Sequence, residues 1–224
     1  MNWTAIWVTC KLASLTSIVL LIIGLPIAYW LTYSQWRWKF LIESVVALPL
    51  VLPPTVLGFY ILVAIGPHSP FGALYTDLVG SPLPFTFQGL LLASILYSLP
   101  FAVQPFATAF EQVDRKLIEA SWTLGLSELK TFFKLIMPLS TAGLITGVVL
   151  SFAHTLGEFG VVLMVGGNIE GVTRTVSIEI YDEVQALNYA DAAKTSAFLL
   201  VVSYAVLLVV YALNRRVWSV WPQK

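Results

Sequence analysis

Residues 119–138 read EASWTLGLSELKTFFKLIMP, two charged helical turns set between LLLASILYSLPFAV (90–103) and AGLITGVVLSFAH (142–154). The flanks suit hydrocarbon and the insert does not, so the first question is what surrounds it. Of 224 residues, 58% are hydrophobic and only 11% are charged, far from the roughly one-quarter charged content of a soluble domain. The chain is read as an all-α integral membrane protein. Only a helix or a closed barrel satisfies every backbone polar group in lipid, and long apolar runs select the helix.

A hydrocarbon layer about 30 Å thick takes roughly 20 helical residues. Five segments are long enough, at about 10–32, 43–66, 87–110, 138–165 and 193–213. The connections between them are alternately rich and poor in base. Arg37, Lys39, Arg115, Lys116, Lys130, Lys134, Arg215, Arg216 and Lys224 fall on one side, and Lys11, Arg174 and Lys194 on the other. The positive-inside rule then puts the C-terminus and residues 111–137 in the cytoplasm and the N-terminus outside. Trp36, Trp38, Trp218 and Trp221 suit an interfacial belt on the cytoplasmic side. The first span lacks the basic start and cleavage site of a signal peptide, so it is read as retained. No repeat, low-complexity stretch or linker divides the chain, which gives a single transmembrane domain over 1–224. A formal net charge of zero offers nothing to nucleic acid. The single cysteine, Cys10, excludes an internal disulfide and is read as a small apolar filler.

Within the insert, Asp114 is placed to cap a helix carrying Leu117, Ala120, Ser121 and Leu124 on one side, and Gly125 to end it in a left-handed turn. Ser127 then opens a second helix. Leu129, Phe132, Phe133, Ile136 and Met137 repeat along one face, with Glu128, Lys130, Thr131 and Lys134 opposite. Pro138 marks the break into the fourth span. Pattern alone leaves two readings open: a helix lying on anionic lipid, or one docking into another protein's groove.

Glu119-Ala120-Ser121, Gly125 and Ile136-Met137-Pro138 resemble the E-A-A, G and I-x-L-P elements of bacterial ABC importer permeases, with Ser121 and Met137 as mild departures. The stretches LPLVLPPTVLGFY (48–60), SFAHTLGEFGVVLMVGGNIEG (151–171) and TRTVSIEIYDEVQ (173–185) resemble the molybdate-transport permeases, whose nearest relatives are sulfate permeases. The resemblance implies a MetI-like five-span fold. It also implies a coupling helix through which Asp114, Leu117, Glu119, Ala120, Ser121, Gly125, Leu129, Phe132 and Phe133 meet a cytoplasmic ATPase.

No G-x-x-x-x-G-K-[ST] occurs, so the nucleotide phosphates have no cradle here, and ATP-Mg is expected on a separate ATPase subunit. No enzyme chemistry and no cofactor are expected on the chain itself. Five helices make a thin wall for a hydrated path, which favours a homodimer with two ATPases. Pro53, Pro54 and Thr55 break the second span, either as a packing kink or as a broken helix at a pore or gate. In the fourth span Ser151, His154 and Glu158 share a face, and Gly147 and Gly157 suit close helix approach. Glu158 is expected to face protein or water, to hydrogen-bond backbone N–H groups or His154, and to pair helices or shape the gate. Two ligands make no metal site, and the other histidine, His68, is remote.

Selectivity then rests with an external, periplasmic oxyanion-binding protein, expected to contact segments 67–86 and 166–192 with Arg174 and Asp182 as polar anchors. Segment 175–187 is read as a short external helix with Val176, Ile180, Val184 and Leu187 on one face. Sulfate or tungstate is the alternative cargo. A proton-coupled carrier relaying through His154 and Glu158 is the alternative of another class, although such carriers usually show internal repeats.

Overall fold

Asn2 opens the first helix: its side-chain oxygen accepts from the N–H groups of Thr4 at 3.0 Å and Ala5 at 3.3 Å. In this computed structural model, which describes residues 2–213, helix α1 then runs Trp3–Tyr33. Its 31 residues, about 46 Å at 1.5 Å per residue, exceed the hydrocarbon thickness, so it tilts or protrudes. Leu12, Leu20, Gly24 and Ala28 face the bundle, while Ile18 and Ile22 face outward. Arg215, Arg216, Trp218, Trp221 and Lys224, which entered the topology argument, lie outside the described residues.

The second apolar segment is not the straight span that its length suggests. It forms α2 (Lys39–Ala47), a 3-10 turn (Leu48–Leu50) and α3 (Pro54–Ile65), and the two limbs are bent by 113°. Each proline pushes the residue before it out of the helical region, so Pro53-Pro54 expels both Leu52 and Pro53. Pro53 is extended at ψ 135°, and Pro54, with no N–H to lose, starts α3. Segment 67–86, expected as loop, contains α4 (Pro70–Val79), with the Ser69 hydroxyl accepting from Gly72 N–H at 2.9 Å and Gly80 closing it at φ +80°.

The central element is α5 (Phe87–Glu111), close to its expected limits and capped by Thr86. It packs against α1 and against α9 (Thr141–Leu156). Phe106, Phe110, Ala102 and Val103 from α5 meet Leu20, Ala28 and Leu31 of α1 and Leu144 of α9 in the main core. Between α5 and α9 lie α6 (Arg115–Thr123), α7 (Glu128–Thr131), a π turn (Phe132–Ile136) and α8 (Met137–Leu139). The break into α9 comes at Ser140 with a 74° bend, two residues after Pro138. The fourth segment is also interrupted. After α9 ends at Leu156, α10 (Gly160–Gly166) resumes beyond Gly157 and Glu158.

The chain continues through α11 (Val176–Gln185) to α12 (Tyr189–Leu213). The short helix expected at 175–187 is present, but it buries Val176, Ile178 and Glu179 and leaves Val184 and Leu187 exposed. The reason is tertiary: the Val176 N–H donates to Thr9 Oγ1 of α1 at 2.9 Å, which sets the helix's rotation. Among the described residues three helices are long and apolar enough to cross a membrane, and five if each bent pair counts as one span.

Candidate functional site

The charged insert folds as a hairpin of α6 and α7 at the end of the bundle where Tyr33 donates to the Phe110 carbonyl at 2.9 Å. Asp114 Oδ1 accepts from Lys116 N–H at 2.9 Å and starts α6. Gly125, at φ +82°, ends it, with Leu126 N–H donating to the Ser121 carbonyl at 3.1 Å and Gly125 N–H to the Trp122 carbonyl at 2.9 Å. That pair of bonds is the Schellman closure, which needs a left-handed residue just past the helix. The buried hydroxyls of Ser121 and Thr131, 2.8 Å apart, then tie α6 to α7.

The hairpin's inner surface differs from the expected stripe. Ile118, Ser121, Thr131 and Ile136 point inward, and Phe132 packs edge-on against Tyr29 at 5.1 Å and Phe110 at 5.9 Å. Leu117, Ala120, Leu124, Leu129 and Phe133 face outward, Leu124 at 80% and Leu129 at 68% exposure. Thr131 therefore does not sit on the polar face where the α-helical period placed it. The π turn is the cause: an i to i+5 turn makes 131 and 136 neighbours, and 131 and 136 are the buried pair. Glu119 stays on the surface, paired with Arg115 at 3.2 Å. Ser127 holds the N-cap position of α7 without a side-chain cap bond.

A second constellation forms where two breaks meet. Pro54 and Thr55, from the bent second segment, share a recess of about 600 Å³ with His154, Gly157 and Glu158, from the break after α9. Pro53 precedes this wall as the residue before α3. Ser151 does not join it, being fully buried toward α1 with its hydroxyl donating to the Val148 carbonyl at 2.9 Å. Nor does Gly157 serve helix approach, since a Cβ there would meet open space apart from the His154 carbonyl at 3.9 Å. Close approach belongs to Gly147, where a Cβ would lie 2.5 Å from the Phe106 ring, and to Gly143, where it would strike Ala109. Gly143 and Gly147 form a G-x-x-x-G pair, a signal present in the sequence.

Glu158, 3% exposed, bonds neither a backbone N–H group nor His154 through its side chain. Its Oε2 accepts from Ser94 Oγ of α5 at 2.7 Å, and its Oε1 has no partner among the described residues. His154 Nδ1 lies 2.9 Å from Ser98 Oγ, and its ring stacks on Phe101 at 3.9 Å. The two groups thus answer to separate serines one helical turn apart on α5, which tie the end of α9 and the break after it to the central helix. Ser94, Ser98, Tyr97 and Gly160 escaped notice in the sequence because nothing local distinguishes them. Gly160 matters because a Cβ there would lie 2.8 Å from Pro54.

Arg174, half-buried, is surrounded by Glu179 at 3.6 Å, Asp182 at 3.8 Å and Glu170 at 4.0 Å, and its Nε donates to Asn168 at 2.6 Å. It clasps the 166–192 segment together, while Asn2 reaches Glu179 at 3.3 Å.

The profile of the family described as "Binding-protein-dependent transport system inner membrane component" matches residues 21–219. "Molybdenum transport system permease protein ModB" of Azotobacter vinelandii is 51% identical over 211 residues, 94% of this chain and 93% of the relative. The protein of the same name from Escherichia coli (strain K12) is 38% identical over 184 residues, 82% and 80%. "Probable sulfate transport system permease protein cysT" of Chlorella vulgaris is 33% identical over 210 residues, 93% and 78%. Among solved structures, the inward-facing MetNI methionine ABC transporter superposes with a TM-score of 0.73 at 17% identity, covering 95% of this chain and 94% of that one. A bacterial alginate ABC transporter in complex with its pentasaccharide-bound periplasmic protein gives 0.75 at 15%, covering 96% and 79%. The chain, an all-α multi-pass protein of MetI-like fold, therefore belongs to the binding-protein-dependent transport system inner membrane components.

Proposed function

We propose that this chain is the pore-forming permease of an ATP-driven importer of molybdate, acting as a single transmembrane unit and performing no enzyme chemistry of its own. The observation that carries the coupling role is the α6–α7 hairpin. It is rigidly built from below, through Ser121, Thr131 and Ile136, yet presents Leu117, Leu124, Leu129 and Phe133 outward. An apolar ridge on a braced support suits a protein groove. The hairpin then lies in the cytoplasm, as the base-rich loops favour, and the N-terminus outside. ATP-Mg is bound by a separate ATPase, two of which serve a homodimer of this chain.

Molybdate as cargo draws support from relatives that carry that name at 51% and 38% identity. Sulfate or tungstate is the second reading, favoured by the 33% relative named for sulfate. On either, an external binding protein selects the anion and docks near α4 and segment 166–192, where the Arg174 clasp shapes the surface. Reconstitution with the cognate ATPase and binding protein tests the reading. ATP-dependent accumulation of molybdate in preference to sulfate is expected. Accumulation driven by a proton gradient without ATP would return the assignment to a secondary carrier.

A further inference from the structure

α5 carries Gln104, Thr108 and Gln112, the last as its C-terminal cap, at i, i+4 and i+8 on a face turned away from the core, and all three are exposed. On α1 and α12 the exposed polar residues Lys11, Ser14, Lys194 and Ser196 give way further along to apolar outward faces, Ile18 and Ile22 on α1 and Leu200, Val201, Leu207 and Leu208 on α12. An amide turned into lipid forfeits its hydrogen bonds, so this stripe faces water or polar protein. Gln104 lies seven residues before Glu111, about 10 Å along the helix, well within the span.

The stripe lines a recess of about 470 Å³ between α5 and α9, walled also by Leu50 and Thr146 and holding no charged side chain. The groove continues toward the recess of Thr55, Tyr97 and Glu158, and the Phe101–His154 stack stands where the two meet, Phe101 lining one and His154 the other. The broken second segment borders both, through Leu50 on one side of the bend and Pro54 on the other. Some hydroxyls in the first recess are already spent: Ser140 donates to Ala109 and Thr146 to Ala142, at 3.1 and 2.8 Å. Among the described side chains that line this recess, the two Gln amides and Thr108 are the donors placed to face a solute.

Resting on the transport reading above, we infer that this α5–α9 groove is the path of a tetrahedral oxyanion, with Gln104, Thr108 and Gln112 as a ladder of neutral donors and the Phe101–His154 stack as its barrier. Neutral donors replace part of an anion's hydration without holding it, whereas a lysine or arginine here would trap a dianion. The buried Glu158 lies beyond the stack, away from the ladder.

The single cysteine makes the test direct. In a Cys10→Ser background, Gln104→Cys and Thr108→Cys are placed in the reconstituted complex with ATPase and binding protein, with Leu200→Cys and Val201→Cys on α12 as lipid-facing controls. A charged thiosulfonate reagent is expected to label the α5 positions at least tenfold faster than the controls, and molybdate with ATP to slow that labelling. Equal rates, or no slowing by molybdate or sulfate, would overturn the path. In the otherwise native chain, Gln104→Leu combined with Thr108→Val should lower anion uptake per ATP hydrolysed at least tenfold, and an unchanged ratio would overturn the donor ladder. A native complex that accumulates no oxyanion sinks the transport reading, and the labelling contrast then still reports separately on whether the groove is hydrated.

Discussion

Ser94 on α5 donates to Glu158 at 2.7 Å across 64 residues of sequence, fixing the break between α9 and α10 to the central helix. The other oxygen of the same carboxyl group is buried without a partner among the described residues. Removal of the serine hydroxyl strips Glu158 of its one side-chain bond. Ser94→Ala should therefore destabilise the protein by about 2 kcal/mol, near the middle of the range for orphaning a buried polar group. The check is thermal unfolding in detergent, alongside Ser98→Ala, which takes a partner from both His154 Nδ1 and Thr155 Oγ1 while Thr155 keeps its bond to the Ser151 carbonyl at 2.9 Å.

Gly125 tests the hairpin by torsion alone. A Cβ at this position meets nothing within 4 Å, so only φ +82° resists substitution. Gly125→Val should cost roughly 2 kcal/mol or more of local stability, because a β-branched residue is poorly tolerated in the left-handed region, while Gly125→Asn is expected to be mild. Co-purification of the ATPase is the measurement, with Val disrupting it and Asn retaining it. Equal loss from both would mean that the turn's conformation is not what matters.

The glycines of the fourth segment should separate into two classes. Gly147→Ala drives a methyl against the Phe106 ring and Gly143→Ala drives one against Ala109, and overpacking of this kind costs about 1–3 kcal/mol. Gly157→Ala enters open space at a backbone φ of −91° and should leave stability nearly unchanged. Comparing the three melting temperatures checks the ordering.

Leu124 is 80% exposed and contributes little to the fold. Leu124→Asp should leave the permease as stable as the native chain and weaken ATPase binding by roughly tenfold or more, as expected when a charge replaces an apolar side chain at the centre of an interface. An affinity measurement between purified subunits decides it, and unchanged binding would move the docking surface elsewhere.

Much of this architecture was legible because its causes are local. Asp114 and Gly125 delimit α6 by capping and by left-handed geometry, and paired prolines break the second segment wherever they stand. Ser69-Pro70 and Gly80 carried the same kind of signal for α4, hidden by the expectation of a loop. The fourth segment misled because its apolar run, opened by the break that Pro138 announces, crosses a second one at Gly157 that hydropathy does not register.

The sequence by itself determined that the chain is a helical membrane protein, where its apolar segments lie, and that a capped amphipathic hairpin separates two of them, since composition and short-range sterics suffice for each. Only the tertiary structure decided that the break at Pro54 meets the break at Glu158, that Thr131 turns inward, and that α5 presents its polar stripe to a groove. Those outcomes depend on how helices rotate and cross. A single π turn shifts the buried register, and a hydroxyl on a distant helix chooses where a buried carboxyl group points.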